Sequence, residues 1–353
     1  MEQNRIRKHL STAFFLFAMT ACLLMGCGTD ETVDANQIYV GVACYDQSDI
    51  FVSELVRCFK EALSRDRGNY EVMVTVRDAV GSQKTQNDQI KEMIDEGCNV
   101  LCVNLADRTD PSQIIEYAKE NNVPIIFFNR EPVAEDLMRW DKLYYVGAKA
   151  LQSGVMQGEL AVAAIMDNKA IDRNQDGVIQ YVILEGEMGH QDAIVRTESV
   201  VEYIRSKGIK LEKLGCETAN WKRAQAQNRM DQLITQYGNS IELVLANNDD
   251  MALGALDSYQ QMRYTKNDMP AVFGIDGIRE ALEAVKASRL EATVYNDKEG
   301  QAKAMSDLVF ASVSGEGFDK IDFVNMNSIY LPYQKVTAEN VDTYLDADAQ
   351  ITR

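Results

Sequence analysis

Residues 172–180 read as the first half of an EF-hand calcium loop. Asp172, Asn174 and Asp176 supply oxygens at loop positions 1, 3 and 5, Gly177 stands at 6, and Gln180 supplies an oxygen at 9. Position 12, where such a loop places a bidentate Glu, is Ile183, and no helix signal follows. Residues 180–184 are instead a strand-like apolar run. Two readings stand at this point: a polar turn that imitates a calcium loop, or a loop whose last carboxylate comes from elsewhere in the fold.

A second chemistry recurs at the ends of apolar runs. Asp49, Asn129, His190, Asp192, Asn248, Asp276 and Asn296 each follow such a run, with Arg196, Phe51 and Trp221 nearby in sequence. Planar polar side chains that donate and accept suit a ring of hydroxyls, and aromatic rings suit the C–H faces of a pyranose. Each residue also has an ordinary reading: Asn and Asp as turn formers or helix caps, Phe51 as core, His190 as a cap, Arg196 as a surface charge. Enzyme signatures are absent: no G-x-S-x-G elbow, HExxH pair or Walker loop occurs. Asp49 with Asp276 could form a carboxylate pair for glycoside hydrolysis, but the accompanying amides fit binding better than cleavage.

These residues need a scaffold that brings run ends together. Short apolar runs alternate with helical spacing along the chain: strands near 38–43, 70–76, 100–103, 124–128, 180–184, 209–216, 243–246, 271–276 and 291–295, with helices between them. Residues 146–148 read as a crossover, after which the alternation restarts. The pattern implies α/β architecture with mostly parallel sheets, in two successive sets that suggest two similar lobes. Ligands in such sheets sit beyond the carboxyl ends of the strands, which makes the polar residues there candidates for contact.

The 353 residues suffice for two domains of ordinary size, and 46% apolar content is normal for a globular chain. Arg5, Arg7 and Lys8 precede an apolar stretch at 10–25, too short for a comfortable membrane span. The following Leu24, Met25, Gly26 and Cys27 resemble the lipobox of bacterial lipoproteins, which implies cleavage before Cys27 and acylation of its thiol. Residues 28–36 read as a tether. Residues 1–26 carry three basic residues and one acidic one, so losing them takes the formal charge from −18 to about −20. That acidity disfavours nucleic acid and anionic membranes as partners. Cys44, Cys58, Cys98, Cys102 and Cys216 read mostly as buried apolar fillers, although an exported setting would permit a disulfide.

Several long stretches resemble the bacterial galactose/glucose-binding proteins that serve a methyl-galactoside ABC transporter. They are KTQNDQI at 84–90, VPIIFFNREP at 123–132, YYVG at 144–147, GEMGHQD at 186–192, ANND at 246–249 and VYNDKEGQA at 294–302. The resemblance runs from Tyr39 to about Lys335. It implies a two-lobed type I periplasmic-binding-protein fold joined by a three-strand hinge. The N-terminal lobe would hold 37–147 plus about 297–328, and the C-terminal lobe 148–296 plus about 329–353 with the calcium loop.

The resemblance also implies the roles of residues. Sugar contacts would be Asp49, Phe51, Asn129, His190, Asp192, Arg196, Trp221, Asn248, Asp276 and Asn296. Structural Ca2+ would be held by Asp172, Asn174, Asp176, the carbonyl of Val178, Gln180 and, from a distant strand, Glu242. The implied function is capture of D-galactose or D-glucose by hinge closure and delivery to an ABC transporter permease. The protein would be a monomer, without catalytic activity or nucleic-acid partner, lipid-anchored on the outer side of the cytoplasmic membrane, which is the periplasm in a Gram-negative host. A sensor presenting the closed form to a chemoreceptor or histidine kinase is the alternative.

Overall fold

The computed structural model describes residues 36–66 and 68–351. The expected leader, Cys27 and all but the last tether residue lie outside the described residues.

The first lobe begins with β1 (Gln37–Cys44), α1 (Ile50–Asp66), β2 (Glu71–Asp78), α2 (Gln83–Asp95), β3 (Val100–Val103) and α3 (Ser112–Glu120). It continues through β4 (Ile125–Phe128), the short α4 (Ala134–Leu137) and β5 (Leu143–Gly147). β3 (VLCV) and β4 (IIFF) are buried at every residue, as strands covered by helices on both faces must be. β5 lies where the sequence pattern suggests a crossover. Its five residues are all buried, and Tyr145 and Val146 stand opposite Phe127 and Phe128 of β4 in parallel register.

The second lobe repeats the plan with α5 (Ala150–Asp167), β6 (Ile179–Glu185), α6 (Gln191–Ser206), β7 (Leu211–Thr218), α7 (Arg223–Tyr237) and β8 (Leu243–Ala246). α8 (Asp249–Gln261), β9 (Ala271–Phe273), α9 (Arg279–Lys286) and β10 (Thr293–Tyr295) follow. The strands order as β7-β6-β8-β9, all parallel.

The last segments stitch the lobes together. α10 (Lys298–Ser314) packs on α1, where buried Lys298 donates to Glu54 at 2.6 Å. β11 (Ser328–Tyr330) then joins the first sheet beside β5, giving the order β11-β5-β4-β3-β1-β2. β12 (Gln334–Val336) returns to pair antiparallel with β10, and α11 (Val341–Ile351) packs on α9. The chain therefore crosses between the sheets after β5, after β10 and after β11. Among the described residues all five cysteines are unpaired, four of them buried, and no helix is long and apolar enough to cross a membrane.

One close approach sets the position of α6, which carries several candidate site residues. Gly154 and Gly158 of α5 face that helix. A Cβ at Gly154 would lie 3.0 Å from the Arg196 carbonyl oxygen, and one at Gly158 would lie 2.9 Å from Tyr203 Cβ. In an uncrowded helix, Gly to Ala is stabilising by roughly 0.5–1 kcal/mol. Gly154→Ala should do the reverse and lower stability in urea titrations by about 1–3 kcal/mol, as overpacking does. Unchanged or increased stability would show that the two helices have room to spare.

Candidate functional site

A cleft opens at the carboxyl ends of both sheets, with about 340 Å³ of empty space counted to its mouth. Nine of the ten residues expected to contact a ligand line it, brought together from six separate segments of the chain. The parallel strands account for this: each directs its following loop to the same edge of its sheet.

The first lobe contributes Asp49, Phe51 and Asn129, together with Tyr45 and Arg130. Asp49 caps α1 by accepting from the Val52 amide at 3.1 Å, and its other oxygen accepts from the Tyr45 hydroxyl at 2.6 Å. Asn129 has φ 59° and accepts at Oδ1 from Asn104 Nδ2 at 3.0 Å, which leaves its own Nδ2 as the group it can offer. Arg130 sits over the Tyr45 ring, with its guanidinium carbon 3.5 Å from the centroid.

The second lobe contributes His190, Asp192, Arg196, Trp221, Asn248 and Asp276. His190 is the N-cap of α6, and its Nδ1 accepts from the Asp192 amide at 3.1 Å. The proton of the neutral ring is thereby assigned to Nε2. Burial, and then the charges of Arg130, Arg196 and Arg108, push its pKa down to about 2, so the ring is neutral at physiological pH.

Arg196 is buried. It donates to the Asn247 carbonyl at 2.8 Å and to the Tyr333 hydroxyl at 3.0 Å, and lies 3.9 Å from Asp192 and 3.8 Å from Asp276. Burial works against its charge, but Tyr333, Asp276 and Asp192 outweigh it and raise its pKa. Burial also lifts Asp192, and lifts Asp276 well above the usual carboxylate range, with Arg196 opposing both.

Trp221 adopts φ 63° with its ring laid across Gly186, where a Cβ would approach within 2.2 Å of the indole. His190 meets the indole edge-on at 5.2 Å. Asn248 caps α8, accepting from the Met251 amide at 3.0 Å and donating to the Trp221 carbonyl at 3.4 Å. The tenth expected residue, Asn296, is not on the wall. It lies buried behind Asp276, with its Nδ2 3.5 Å from that carboxylate and its Oδ1 accepting from Gln301 at 2.7 Å.

Two positioning residues stand outside the ten expected contacts. Asp249, fully buried, accepts from the amides of Gly277 and Ile278 and from the Thr293 hydroxyl, and so fixes the turn that presents Asp276. Burial raises its pKa to about 7 against those three donors. Tyr333 reaches Arg196 from the last crossing segment, 137 residues away in sequence.

The loop at 172–180 lies at the amino end of β6, away from the cleft. Asp172 accepts from the amides of Asp176 and Gly177, and Asp176 from that of Val178. Glu242 is buried and reaches the loop from the start of β8, accepting from the amides of Arg173 at 2.7 Å and Gln180 at 3.1 Å. The side-chain amides of Asn174 and Gln180 donate to the Asp176 carboxylate at 2.9 and 3.1 Å. Among the described residues no three carboxylate, imidazole or thiol groups converge by themselves as a metal cluster. The donor set is mixed, with carboxylates bridged by amides. Carboxylate oxygens keep further lone pairs beyond those given to backbone amides, so the set fits a hard, oxygen-seeking cation.

Residues 40–317 match the family model described as periplasmic binding protein domain. The D-galactose/methyl-galactoside binding periplasmic protein MglB of Haemophilus influenzae is 34% identical over 95% of this chain and 98% of its own. A putative rhizopine-binding protein of Rhizobium meliloti is 28% identical over 76% and 81%. Among solved structures, an ABC transporter solute-binding protein of Bacillus halodurans with bound myo-inositol superposes with a TM-score of 0.71. It is 27% identical and aligns over 89% of this chain and 99% of its own.

His190 gives the site a pH signature. Its folded pKa, about 2, lies below the ordinary 6.5, so between these values the unfolded chain binds a proton that the folded chain refuses. The stability from neutral His190 is present above pH 6.5 and is lost as pH falls below it, at no more than about 1.4 kcal/mol per pH unit. Urea titrations from pH 7 to 5 should show His190→Gln losing less stability than the parent. Parallel pH profiles would mean that the ring takes up a proton in the folded state.

Proposed function

The chain belongs to the periplasmic binding protein family, and from that premise we propose that it captures D-galactose or D-glucose between its lobes. It is an extracytoplasmic sugar-binding protein of an ABC transporter, with the type I fold of its relatives, which are solute-binding proteins and not enzymes. The observation that carries the hexose reading is the composition of the cleft wall. Phe51 and Trp221 offer apolar faces to a pyranose ring, while Asp, Asn, Arg and His side chains offer donors and acceptors to its hydroxyls. The 34% identical relative is named for D-galactose and methyl-galactoside.

The mechanism follows from the wall being split. Asp49, Phe51, Asn129 and Arg130 belong to one lobe, and His190, Asp192, Arg196, Trp221, Asn248 and Asp276 to the other. An open form exposes two incomplete half-sites. A sugar whose hydroxyls are satisfied from both favours the closed form by its differential affinity for it, and closure excludes water. The closed lobes then form the surface offered to the permease. Cys27 would tether the protein to the membrane through lipid.

Ca2+ would be held by Asp172, Asn174, Asp176, the Val178 carbonyl, Gln180 and Glu242, as a structural brace. The cation would supply charge neutralisation and fixed geometry to the loop, and no cleft residue is among these ligands.

Calorimetric titration should show binding of D-galactose and D-glucose, and none of comparable strength for D-ribose, L-arabinose or myo-inositol. Trp221→Ala should weaken hexose binding by about tenfold or more. Absence of heat with both hexoses would overturn the specificity. For the loop, Ca2+ should raise the Tm of the parent and leave that of Glu242→Gln nearly unchanged. An equal response of both proteins to Ca2+ and chelator would remove Glu242 from the ligand set.

A further inference from the structure

Two ion pairs span the cleft from lobe to lobe. Arg130, 5% exposed at its side chain, donates Nη2 to Glu187 of the second lobe at 2.7 Å, while its Nη1 holds the Ala106 carbonyl at 3.1 Å. Lys222 of the second lobe donates to Asp46 of the first at 2.7 Å and also to the Ser48 hydroxyl. Ser48 Oγ in turn bonds the other Asp46 oxygen at 2.6 Å. Burial alone would raise Asp46, but its bonds to Lys222 and Ser48 prevail and hold its carboxyl below the usual range.

Three of the four charges, Asp46, Lys222 and Glu187, do not line the cavity. Each is nevertheless tied to a wall residue. Asp46 follows Tyr45, Lys222 follows Trp221, and Glu187 follows Gly186, on which the Trp221 ring rests. Arg130 follows Asn129 and is itself on the wall.

We infer that Arg130–Glu187 and Lys222–Asp46 are positioning pairs for ligand capture, made when the lobes close and broken when they open, which raise affinity for the sugar through the closed state. The inference rests on the closure mechanism proposed above. A group that interacts only in the closed form shifts the open–closed equilibrium by the strength of that interaction, and the apparent dissociation constant scales inversely with the closed fraction. Lys222 and Asp46 are about a quarter and a fifth exposed, so the pair is screened by salt but not abolished by water. An uncharged ligand would then bind with an affinity that depends on ionic strength.

The test is a charge swap on the whole protein, titrated with D-galactose, D-glucose, D-ribose and myo-inositol. Lys222→Asp should weaken binding of whichever sugar binds by about three- to tenfold, mainly through faster release. Adding Asp46→Lys should restore affinity to within about threefold of the parent. The affinity of the parent should fall as salt rises from about 0.01 to 1 M, and that of the Lys222→Ala, Glu187→Gln double variant should change less. Single and double swaps that bind alike, or a parent affinity indifferent to salt, would overturn the inference. Binding of ribose or inositol in place of the hexoses would overturn the hexose reading while leaving the swap interpretable. Should none of the four bind, small-angle scattering of the unliganded proteins decides. A Lys222→Asp variant more extended than both parent and swap supports the pairs, and equal dimensions refute them.

Discussion

The cleft is organised around one buried guanidinium. Arg196 cannot shed its charge at any accessible pH, so the surrounding fold must satisfy it in place. It does so with groups from four places: Asp192 one turn earlier on α6, the Asn247 carbonyl at the end of β8, Asp276 beyond β9, and Tyr333 on the final crossing. Breaking a buried charge set by removing one member typically costs about 3–5 kcal/mol. Each of those segments is therefore held to the position the guanidinium requires. The glycines of α5 belong to the same constraint, since Gly154 lets that helix close on the Arg196 backbone. One buried donor, Arg196 Nε, has no protein partner. Leaving such a group unmade costs about 1–3 kcal/mol, more when it is charged, and a ligand oxygen is the kind of group that would relieve it.

Stability is given up elsewhere on the same wall. Asn129, Trp221 and Asp276 all have positive φ, at 59°, 63° and 119°. Asn tolerates the left-handed region, but for Trp and Asp it is unfavourable, at roughly 1–3 kcal/mol each. Glycine would fit these backbones better and would leave the cavity without its side chains. The supports are correspondingly specific: Gly186 leaves space for the indole, and Asp249 ties down the two amides after Asp276. The neutral ring of His190 adds hydrogen-bonding capacity to the wall without charge, and the buried Asp276 stands 3.8 Å from the Arg196 guanidinium, which suits a ligand that carries no charge.

Much of this was legible in the chain because parallel strands obey a simple rule. β3, β4 and β8 are uninterrupted apolar runs, and the residues that follow them arrive at the cleft by topology alone. Arg130 stands directly after Asn129 at such an end, yet an Arg there reads equally well as solvated charge; only its stacking on Tyr45 and its reach to Glu187 reveal the role. Asn296 shares the strand-end signature but serves Asp276 from behind, a distinction that depends on which way a turn faces. Local periodicity does not reveal α10, because its buried positions include Lys298, Gln301 and Ser306 and break the apolar stripe. β11 and β12 are three residues each, too short for a pattern. Tyr333 could not be placed without them.

The loop at 172–180 and the cleft occupy opposite ends of the same two strands, and this geometry bears on what the loop can do. β6 runs from the loop to Gly186 and His190, and its neighbour β8 runs from Glu242 to Asn247 and Asn248. At the loop end the two strands are clasped twice: Gln180 donates its backbone amide to the Glu242 carboxylate, and Glu242 donates its own amide to the Gln180 carbonyl at 2.9 Å. That clasp sets the register, Tyr181 opposite Leu243, which carries unbroken through Leu184 opposite Ala246 to the cleft. A slip of one residue would turn every side chain on β8 to the wrong face of the sheet. Strands are stiff, and the cleft lies some seven residues, roughly 23 Å, along β6 from the loop. Loosening the clasp therefore acts on whether the strands are paired correctly at all, not on the contacts of a correctly paired wall. A cation at the loop would secure the folding of the second lobe, with little leverage over how tightly a folded cleft holds its ligand.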